Sequence, residues 1–329
     1  MSITEQQFKA GMRHLAGGDP AKAKQLTEEL ILRERVSIIG GYYLSPESLA
    51  SAPVLTEAKV PGVVFNGASV PIPKASPFIV RPTATQAQSI SVHAKFARDS
   101  GKQRAYIAVS DYSAGHEVQD EFKKRFTAAG GTVVGEERVP LNTMDFSAVA
   151  ERIAAAKPDF VELFVPNGAP SVALSKALRA RGVLGRDDIM VMGQGYIDEP
   201  TLVQYDDSIV GAYDTQIYAL PAPGAENVKF KAALKSLYPD LVPAYETASA
   251  YDAMMIIYRM VASQAGKPFD GAAAVKAVVN WSYTGARGPQ SIGPDRNLVT
   301  NVYVRKVVKQ GGRLRNEVAH TATNVPSAP

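Results

Sequence analysis

Hydrophobic and polar residues change their spacing repeatedly along the chain, and each change marks an element. In residues 19–32 apolar positions recur at helical spacing behind Asp19 and Pro20, which suit a helix start. Residues 36–39, Val-Ser-Ile-Ile, are mostly apolar and do not alternate with polar positions, as in a parallel strand that is covered on both faces. A Gly-Gly pair follows, and Ser45 can cap the next helix. The pattern predicts a helix, a buried strand and a loop at the strand's carboxyl end, where open α/β sheets bind ligands.

Strand-like and helical patterns then alternate through most of the chain. Five short strand-like runs lie at 62–66, 78–81, 104–110, 159–165 and 188–193. Helical stretches lie between most of them. This alternation predicts right-handed βαβ crossovers and parallel sheets. Beyond residue 281 the chain turns to glycine, proline and alternating strand patterns. We therefore expect an α/β fold whose last part does not continue the alternation of strands and helices.

Composition narrows the class of protein. With 329 residues the chain is long enough for two lobes, and 46% hydrophobic against 21% charged residues fits a soluble globular protein. The 36 basic and 32 acidic residues are interleaved, so the net charge of +4 predicts no nucleic-acid partner. No stretch is apolar enough for direct membrane insertion. The absence of cysteine excludes disulfides and thiolate sites, and the first residues lack the pattern of a secretory signal peptide.

The sequence gives little support to enzyme chemistry. The four histidines are scattered without the i, i+4 partners of a zinc site, and no nucleophile elbow or phosphate-binding loop is present. Gly193 and Gly195 follow a strand but lack the third glycine of a dinucleotide fingerprint. We expect no catalytic residue, metal or cofactor. A late Gly-Gly turn is flanked by basic residues that predict a solvated hairpin: Arg305, Lys306, Lys309, Arg313 and Arg315.

Loops at the predicted strand ends give a stronger indication. They combine small residues with tyrosines, at 41–45, 66–69, 111–115, 167–171 and 195–196. Small residues let backbone N–H groups approach a ligand, helix N-termini favour negative charge, and tyrosines offer flat walls with a polar tip. Any one such loop is more often an ordinary βα turn. Five together favour a site for an aromatic carboxylate.

Several short motifs follow the order and spacing of one known family. They are Asp111, Tyr112 and Gly115 in one loop, Asp145-Phe146-Ser147 at a helix start, Pro158-Asp159 before a strand, residues 250–253 in the long helical pattern at 245–265, and 288–295 before the closing strands. On these motifs the chain resembles the substrate-binding proteins of branched-chain-amino-acid-type ABC importers, which have the type I periplasmic binding protein fold. The resemblance covers nearly the whole chain.

The resemblance implies two lobes, each a mostly parallel sheet flanked by helices, that close on one small molecule about hinge crossings and perform no catalysis. In this numbering lobe 1 would comprise 1–82 and 245–288, and lobe 2 would comprise 83–244 and 289–329. A monomer in the periplasm that delivers its ligand to an ABC permease of the inner membrane is implied as well.

One departure from the family's pattern concerns the ligand. Members that bind leucine-like amino acids hold the zwitterion with a tyrosine and an acid, which align near Gly168 and Gly195, and the acid closest to the second position is Asp198. A buried ammonium without a counter-charge would cost several kcal/mol. We therefore expect a carboxylate without an amine, and a neutral amide or urea is the alternative ligand.

A second departure concerns the start. The chain reaches the family's third strand unit by residue 36, which would leave residues 36–39 as a bare apolar edge. We interpret the start as truncated or misassigned. A cytoplasmic ligand sensor of the same fold, regulating a protein partner, is the alternative function.

The predicted ligand contacts all lie in strand-end loops. Hydroxyl and backbone donors would hold the carboxylate, and tyrosines would enclose the ring. The residues are Tyr43, Ser45, Asn66, Ala68, Ser69, Tyr112, Asn167 and Tyr196.

Overall fold

The computed structural model of the protein describes residues 16–327, which divide into two structural units. Unit 1 consists of the chain up to Thr85 together with Glu246–Val299, and unit 2 consists of Gln86–Tyr245 together with the chain from Thr300. The last boundary lies beyond the expected limit at residue 288. The reason is that Ile292 and Leu298 pack into the hydrophobic core of unit 1.

Helices and strands alternate along most of the chain, as the sequence predicts. The helices are α1 (Pro20–Leu32), α2 (Ser45–Ala58), α3 (Gln86–Asp99), α4 (Ser113–Ala128), α5 (Ser147–Ala156), α6 (Ala169–Ala180), α7 (Ala225–Leu237), α8 (Tyr245–Ala262) and α9 (Gly271–Lys276). The strands are β1 (Ile39–Gly41), β2 (Gly62–Val64), β3 (Ile79–Val80), β4 (Arg104–Ser110), β5 (Thr132–Val139), β6 (Phe160–Phe164), β7 (Met190–Gln194), β8 (Tyr213–Gln216), β9 (Ser282–Gly285), β10 (Gly288–Ile292), β11 (Leu298–Gln310) and β12 (Arg313–Val325). Short 3₁₀ helices occupy Ile72–Lys74, Glu199–Gln204 and Asp207–Ile209.

Unit 1 contains a parallel sheet of order β1-β2-β3. Ile39 of β1 pairs with Gly62 of β2, which pairs with Ile79 of β3. The first strand begins later than the predicted run 36–39, because the N–H of Val36 still bonds to a carbonyl oxygen of α1 at 3.2 Å. Within residues 16–327, β1 is the end strand of this sheet.

The sheet of unit 1 is covered on both faces, as the lack of polar alternation in its strands predicts. On one face Val64 and Ile79 pack with Leu55 of α2. On the other face Val63 packs with Ile256 of α8. Both layers hold the strands in place, so the loops after β1 and β2 emerge from a fixed edge.

Unit 2 is built on a larger sheet of order β5-β4-β6-β7-β8-β11, with β12 paired to β11. The pairs from β5 through β8 are parallel, and β11 runs antiparallel to both β8 and β12. Parallel strands end at the same edge, so the loops after β4, β6 and β7 lie beside one another. These loops contain residues 111–112, 165–168 and 195–198.

The antiparallel hairpin of β11 and β12 turns at the predicted Gly-Gly pair, but one of its basic residues is not solvated. Arg305 is fully buried, whereas Lys309, Arg313 and Arg315 are exposed. The prediction of a solvated Arg305 is wrong because its position in β11 lies directly opposite Asp214 of β8. That pairing between distant strands gives the guanidinium a partner inside unit 2.

Candidate ligand-binding site

The site loops of unit 1 are joined to one another by hydrogen bonds. Ser69 donates its backbone N–H to Ser45 Oγ at 3.2 Å, which ties the loop after β2 to the first residue of α2. Asn66 donates from Nδ2 to the carbonyl oxygen of Tyr43 at 3.2 Å. The structure thus brings Tyr43, Ser45, Asn66 and Ser69, together with the adjoining Ala68, to one edge of the sheet.

Arg81 lies beneath the loop after β2, and the sequence did not identify it as a site residue. Its Nη1 donates to the carbonyl oxygen of Ser69 and, at 3.5 Å, to that of Gly67. In a planar trans peptide the N–H and C=O groups point in opposite directions. The peptide N–H of Ala68 is therefore directed away from Arg81, and it has no hydrogen-bond partner among residues 16–327.

The guanidinium of Arg81 is fully buried among neutral groups. Its Nε donates to Asn297 Oδ1 at 2.9 Å, and no carboxylate in the described part of the chain forms an ion pair with it. Burial lowers the pKa of this guanidinium to about 10, and the more distant Asp295 opposes the change. The loop therefore lies over a buried positive charge.

Glu47 occupies the first turn of α2 without being free to bind a ligand amine. Its Oε2 accepts from the N–H of Leu44 at 2.8 Å, which is one half of a capping box. Its Oε1 accepts from the N–H of Gly18 at 3.0 Å. Both carboxylate oxygens are thus engaged by the backbone of unit 1.

In unit 2 the ring of Tyr112, just after β4, stacks on Phe164 at the end of β6. The ring centroids are 6.0 Å apart and the planes are inclined by 23°. Tyr112 is 38% exposed, and burial raises the pKa of its hydroxyl, so the phenol stays protonated at neutral pH. The pair forms an aromatic surface with an exposed outer ring. Sequence reasoning missed Phe164, although its place as the last apolar residue of a parallel strand is a usable indication.

Tyr196 does not form a wall of the site as predicted. It is fully buried in the hydrophobic core of unit 2, where its hydroxyl bonds with Ser175 Oγ. Its N–H donates to Asp214 Oδ1 at 2.8 Å. Gly195 has a φ of +58°, and the chain after it turns the tyrosine inward. We therefore correct the prediction for Tyr196 and place it in the core.

Asn167 is exposed, and its side chain is hydrogen-bonded both at the start of α6 and to a residue after β7. Its Oδ1 accepts from the N–H of Gly168 at 2.8 Å and from Thr201 Oγ1 at 3.0 Å. These bonds order the loop after β6. A ligand contact of Asn167 stays a prediction.

Asp198, the acid closest to Gly195 in the sequence, forms an ion pair with Arg305. Arg305 donates from Nη1 to Asp198 at 3.2 Å and from Nη2 to Asp214 at 2.5 Å. Glu199 lies 3.9 Å from the same guanidinium. Burial raises the pKa of Asp214 to about 6, with Arg305 opposing that rise. Asp198 is therefore an internal ion-pair partner and is not free to hold a ligand ammonium.

The described residues contain neither a metal-binding cluster nor a membrane-spanning helix. No group of three His, Asp or Glu side chains within residues 16–327 is placed to hold a metal ion. In the same range no helix is both long and apolar enough to cross a membrane.

Comparison with known proteins places the chain in a family. The sequence profile of the family described as periplasmic binding protein matches residues 16–313. A protein from Brucella melitensis biotype 1 described as Leu/Ile/Val-binding protein homolog 6 is 35% identical over 300 residues, which cover 90% of this chain and 76% of that protein.

Two similar solved structures are solute-binding proteins of ABC transporters. One, from Rhodopseudomonas palustris HaA2 in complex with p-hydroxybenzoic acid, is 36% identical with a TM-score of 0.85 and covers 94% of this chain and 84% of its own. The other, from Rhodopseudomonas palustris BisB5 in complex with 3,4-dihydroxybenzoic acid, is 34% identical with a TM-score of 0.83 and the same coverage, 94% and 84%. With the α/β units and parallel sheets described above, these matches lead to one conclusion. The chain belongs to the periplasmic binding protein family.

Proposed function

We propose that this protein is an extracytoplasmic solute receptor that binds an aromatic carboxylate without an amine and delivers it to an ABC permease. The observation that carries the proposal is the loop over Arg81, where the outward N–H of Ala68 lies above a buried positive charge. The hydroxybenzoic acids bound by the two similar proteins support the same class of ligand.

In the unit 1 loops and in the loop after β7 the nearest acids are already engaged, which favours a ligand without an ammonium group. Asp198 pairs with Arg305, and both oxygens of Glu47 accept from backbone N–H groups. An ammonium brought to these loops would lose its hydration without gaining a counter-charge, at a cost of several kcal/mol. The α-amino acids bound by other family members are therefore disfavoured.

We assign the carboxylate to unit 1 and the ring to aromatic surfaces. Ser45 Oγ and the N–H of Ala68 would donate to the carboxylate, with Ser69 held in place by its bond to Ser45. Tyr43 is half exposed beside them. In unit 2 the Tyr112 ring, backed by Phe164, is the assigned ring contact.

Thermal unfolding with a ligand panel tests the proposal. The panel contains 4-hydroxybenzoate, 3,4-dihydroxybenzoate, 4-hydroxybenzamide, L-leucine and urea. A ligand at a hundred times its dissociation constant adds about 2.7 kcal/mol to the stability of the folded state, which raises the melting temperature by several degrees. We expect a rise with the two hydroxybenzoates and none with leucine.

A rise with leucine alone would contradict the assignment of ligand class. A rise with urea or the amide alone would replace the carboxylate with a neutral ligand. The location is tested separately, by asking whether the protein is released from its native cells by osmotic shock. Retention with cytoplasmic enzymes would favour an intracellular sensor of the same fold.

A further inference from the structure

The three fully buried arginines of the described chain differ in how their charge is compensated. Arg287 pairs with Asp252 at 2.6 Å, and Arg305 pairs with Asp198 and Asp214. Arg81 has no carboxylate ion-pair partner within residues 16–327. One of its nitrogens, Nη2, is buried without any hydrogen-bond partner in the described chain.

A buried cation without an ion pair is unusual because no attraction to an opposite charge offsets the cost of its desolvation. Here the neutral partners of Arg81 include the carbonyl oxygens of Gly67 and Ser69, in the loop assigned to the ligand. The peptide N–H of Ala68 points away from the guanidinium for the geometric reason given above. An anion bound by that N–H would therefore lie across one peptide layer from the uncompensated charge.

Asn297 and Asp295 complete the surroundings of Arg81. Asn297 accepts from Arg81 Nε at 2.9 Å and donates from Nδ2 to Asp295 Oδ2 at 2.7 Å. Asp295 is thus bonded to the neutral side chain that accepts from Arg81, and within residues 16–327 it forms no ion pair with the guanidinium. Its charge reduces the positive potential at the loop without cancelling it.

We propose that Arg81 is the residue that selects an anionic ligand: its buried charge acts through the 67–69 loop and favours a carboxylate over the matching amide. This inference rests on the proposed function and names the source of its specificity. Arg81 is a positioning residue in this account, since it acts through the loop and needs no contact with the ligand. Because the medium around it is protein and not water, its field at the loop is only weakly screened.

The test compares 4-hydroxybenzoate with 4-hydroxybenzamide, which has nearly the same shape but no charge. Dissociation constants for both are measured by calorimetry on the full chain, for the wild-type protein and for Arg81→Gln and Arg81→Lys. We expect Arg81→Gln to weaken benzoate binding by about tenfold or more, equal to about 1.4 kcal/mol, with little change for the benzamide. Arg81→Lys keeps the charge and should restore part of the preference.

Asn297→Asp is a variant that keeps Arg81 and its hydrogen bonds to the carbonyl oxygens of Gly67 and Ser69. The new carboxylate would lie 2.9 Å from Arg81 Nε and neutralise the charge in place. We expect the same selective loss of benzoate affinity, together with a lower melting temperature from repulsion by Asp295. This variant decides the question if Arg81→Gln does not fold.

Arg296→Gln is the matched control. Arg296 also holds backbone carbonyls of unit 1, with Nε donating to Ile79 at 3.0 Å and Nη2 to Ser76 at 3.3 Å, but it does not bond to the 67–69 loop. Its substitution should leave the ratio of the two dissociation constants unchanged.

Two results would overturn the inference. An equal loss for benzoate and benzamide in Arg81→Gln would make Arg81 a structural support of the loop only. An unchanged ratio in Asn297→Asp would show that its charge is not felt by the ligand. Failure of the wild-type protein to bind either compound would instead count against the proposed function, so the two failures are distinguishable.

Discussion

Replacing Arg305 with methionine should strongly destabilise the protein. The side chain is fully buried, and the change leaves Asp214 and Asp198 buried without their cation, with Glu199 close by. Removing one partner of a buried ion pair typically costs about 3–5 kcal/mol, because the remaining charge stays desolvated. We therefore expect Arg305→Met to lose about that much unfolding free energy at pH 7.5.

The loss should depend on pH in a defined direction. Burial already raises the pKa of Asp214 to about 6, and Arg305 opposes that rise. Without Arg305 the folded-state pKa is higher still, so the folded state binds a proton that the unfolded state releases at its ordinary pKa of about 3.9. A raised carboxyl pKa gives stability that is present at low pH and lost as pH rises through the folded value. The deficit of the variant should thus grow as pH increases above about 6.

Urea unfolding followed by circular dichroism at pH 5.5 and pH 7.5 measures both effects. Arg186→Met is the matched control, since Arg186 forms a similar ion pair with Asp188 on the surface, where 56% and 64% of the two side chains are exposed. An exposed pair contributes about 0–1 kcal/mol, so the control should change little. A loss below about 1 kcal/mol for Arg305→Met at pH 7.5, or an equal loss at both pH values, would refute the reasoning.

Further predictions concern the site and the core. Tyr112→Ala should weaken 4-hydroxybenzoate binding by up to about tenfold, since an aromatic pair contributes about 0.5–1.5 kcal/mol; unchanged affinity by calorimetry would remove Tyr112 from the site. Gly115→Ala should lower both the melting temperature and the affinity, because the added Cβ would lie 2.0 Å from the carbonyl oxygen of Ser110; a wild-type melting curve would contradict the close approach. Leu55→Ala should cost about 2–5 kcal/mol in urea unfolding, since this side chain is fully buried under the unit 1 sheet, and a loss under 1 kcal/mol would mean that the core collapses around it.

The fold was largely predictable because the central parallel strands β2, β4, β6 and β7 are short, mostly apolar and buried. The runs at 62–66 and 104–110 contain β2 and β4, and the helix predicted after Asp145 and Phe146 begins at Ser147. Hydrophobic spacing is a local property, so it can be read without knowing which strands pair. The start of β1 was less predictable, because α1 continues its hydrogen bonding as far as Val36.

Individual side chains were harder to predict because their burial depends on partners far away in the sequence. Arg305 is one of several basic residues around a turn, a pattern typical of exposed positions. It is buried because the strand register places it opposite Asp214. Tyr196 looks like a loop tyrosine, but Ser175 on α6 binds its hydroxyl inside the core. Arg81 ends an apolar run, and only the folded loop after β2 shows what its guanidinium contacts.

The ligand loops of unit 1 were predictable only in part. Ser45 was identified from its place at a helix start, and the structure shows that its hydroxyl oxygen also accepts from Ser69. The strand order that brings the two loops together follows from parallel pairing. The direction of the N–H of Ala68 does not, since it is set by the distant bond from Arg81.

The central claim is that the protein binds a carboxylate without an amine. Isothermal titration of the wild-type protein with 4-hydroxybenzoate and with L-leucine, at the same pH and salt concentration, tests it most directly. The account predicts saturable 1:1 binding of 4-hydroxybenzoate and no binding heat from leucine. Saturable binding of leucine without binding of 4-hydroxybenzoate would contradict it.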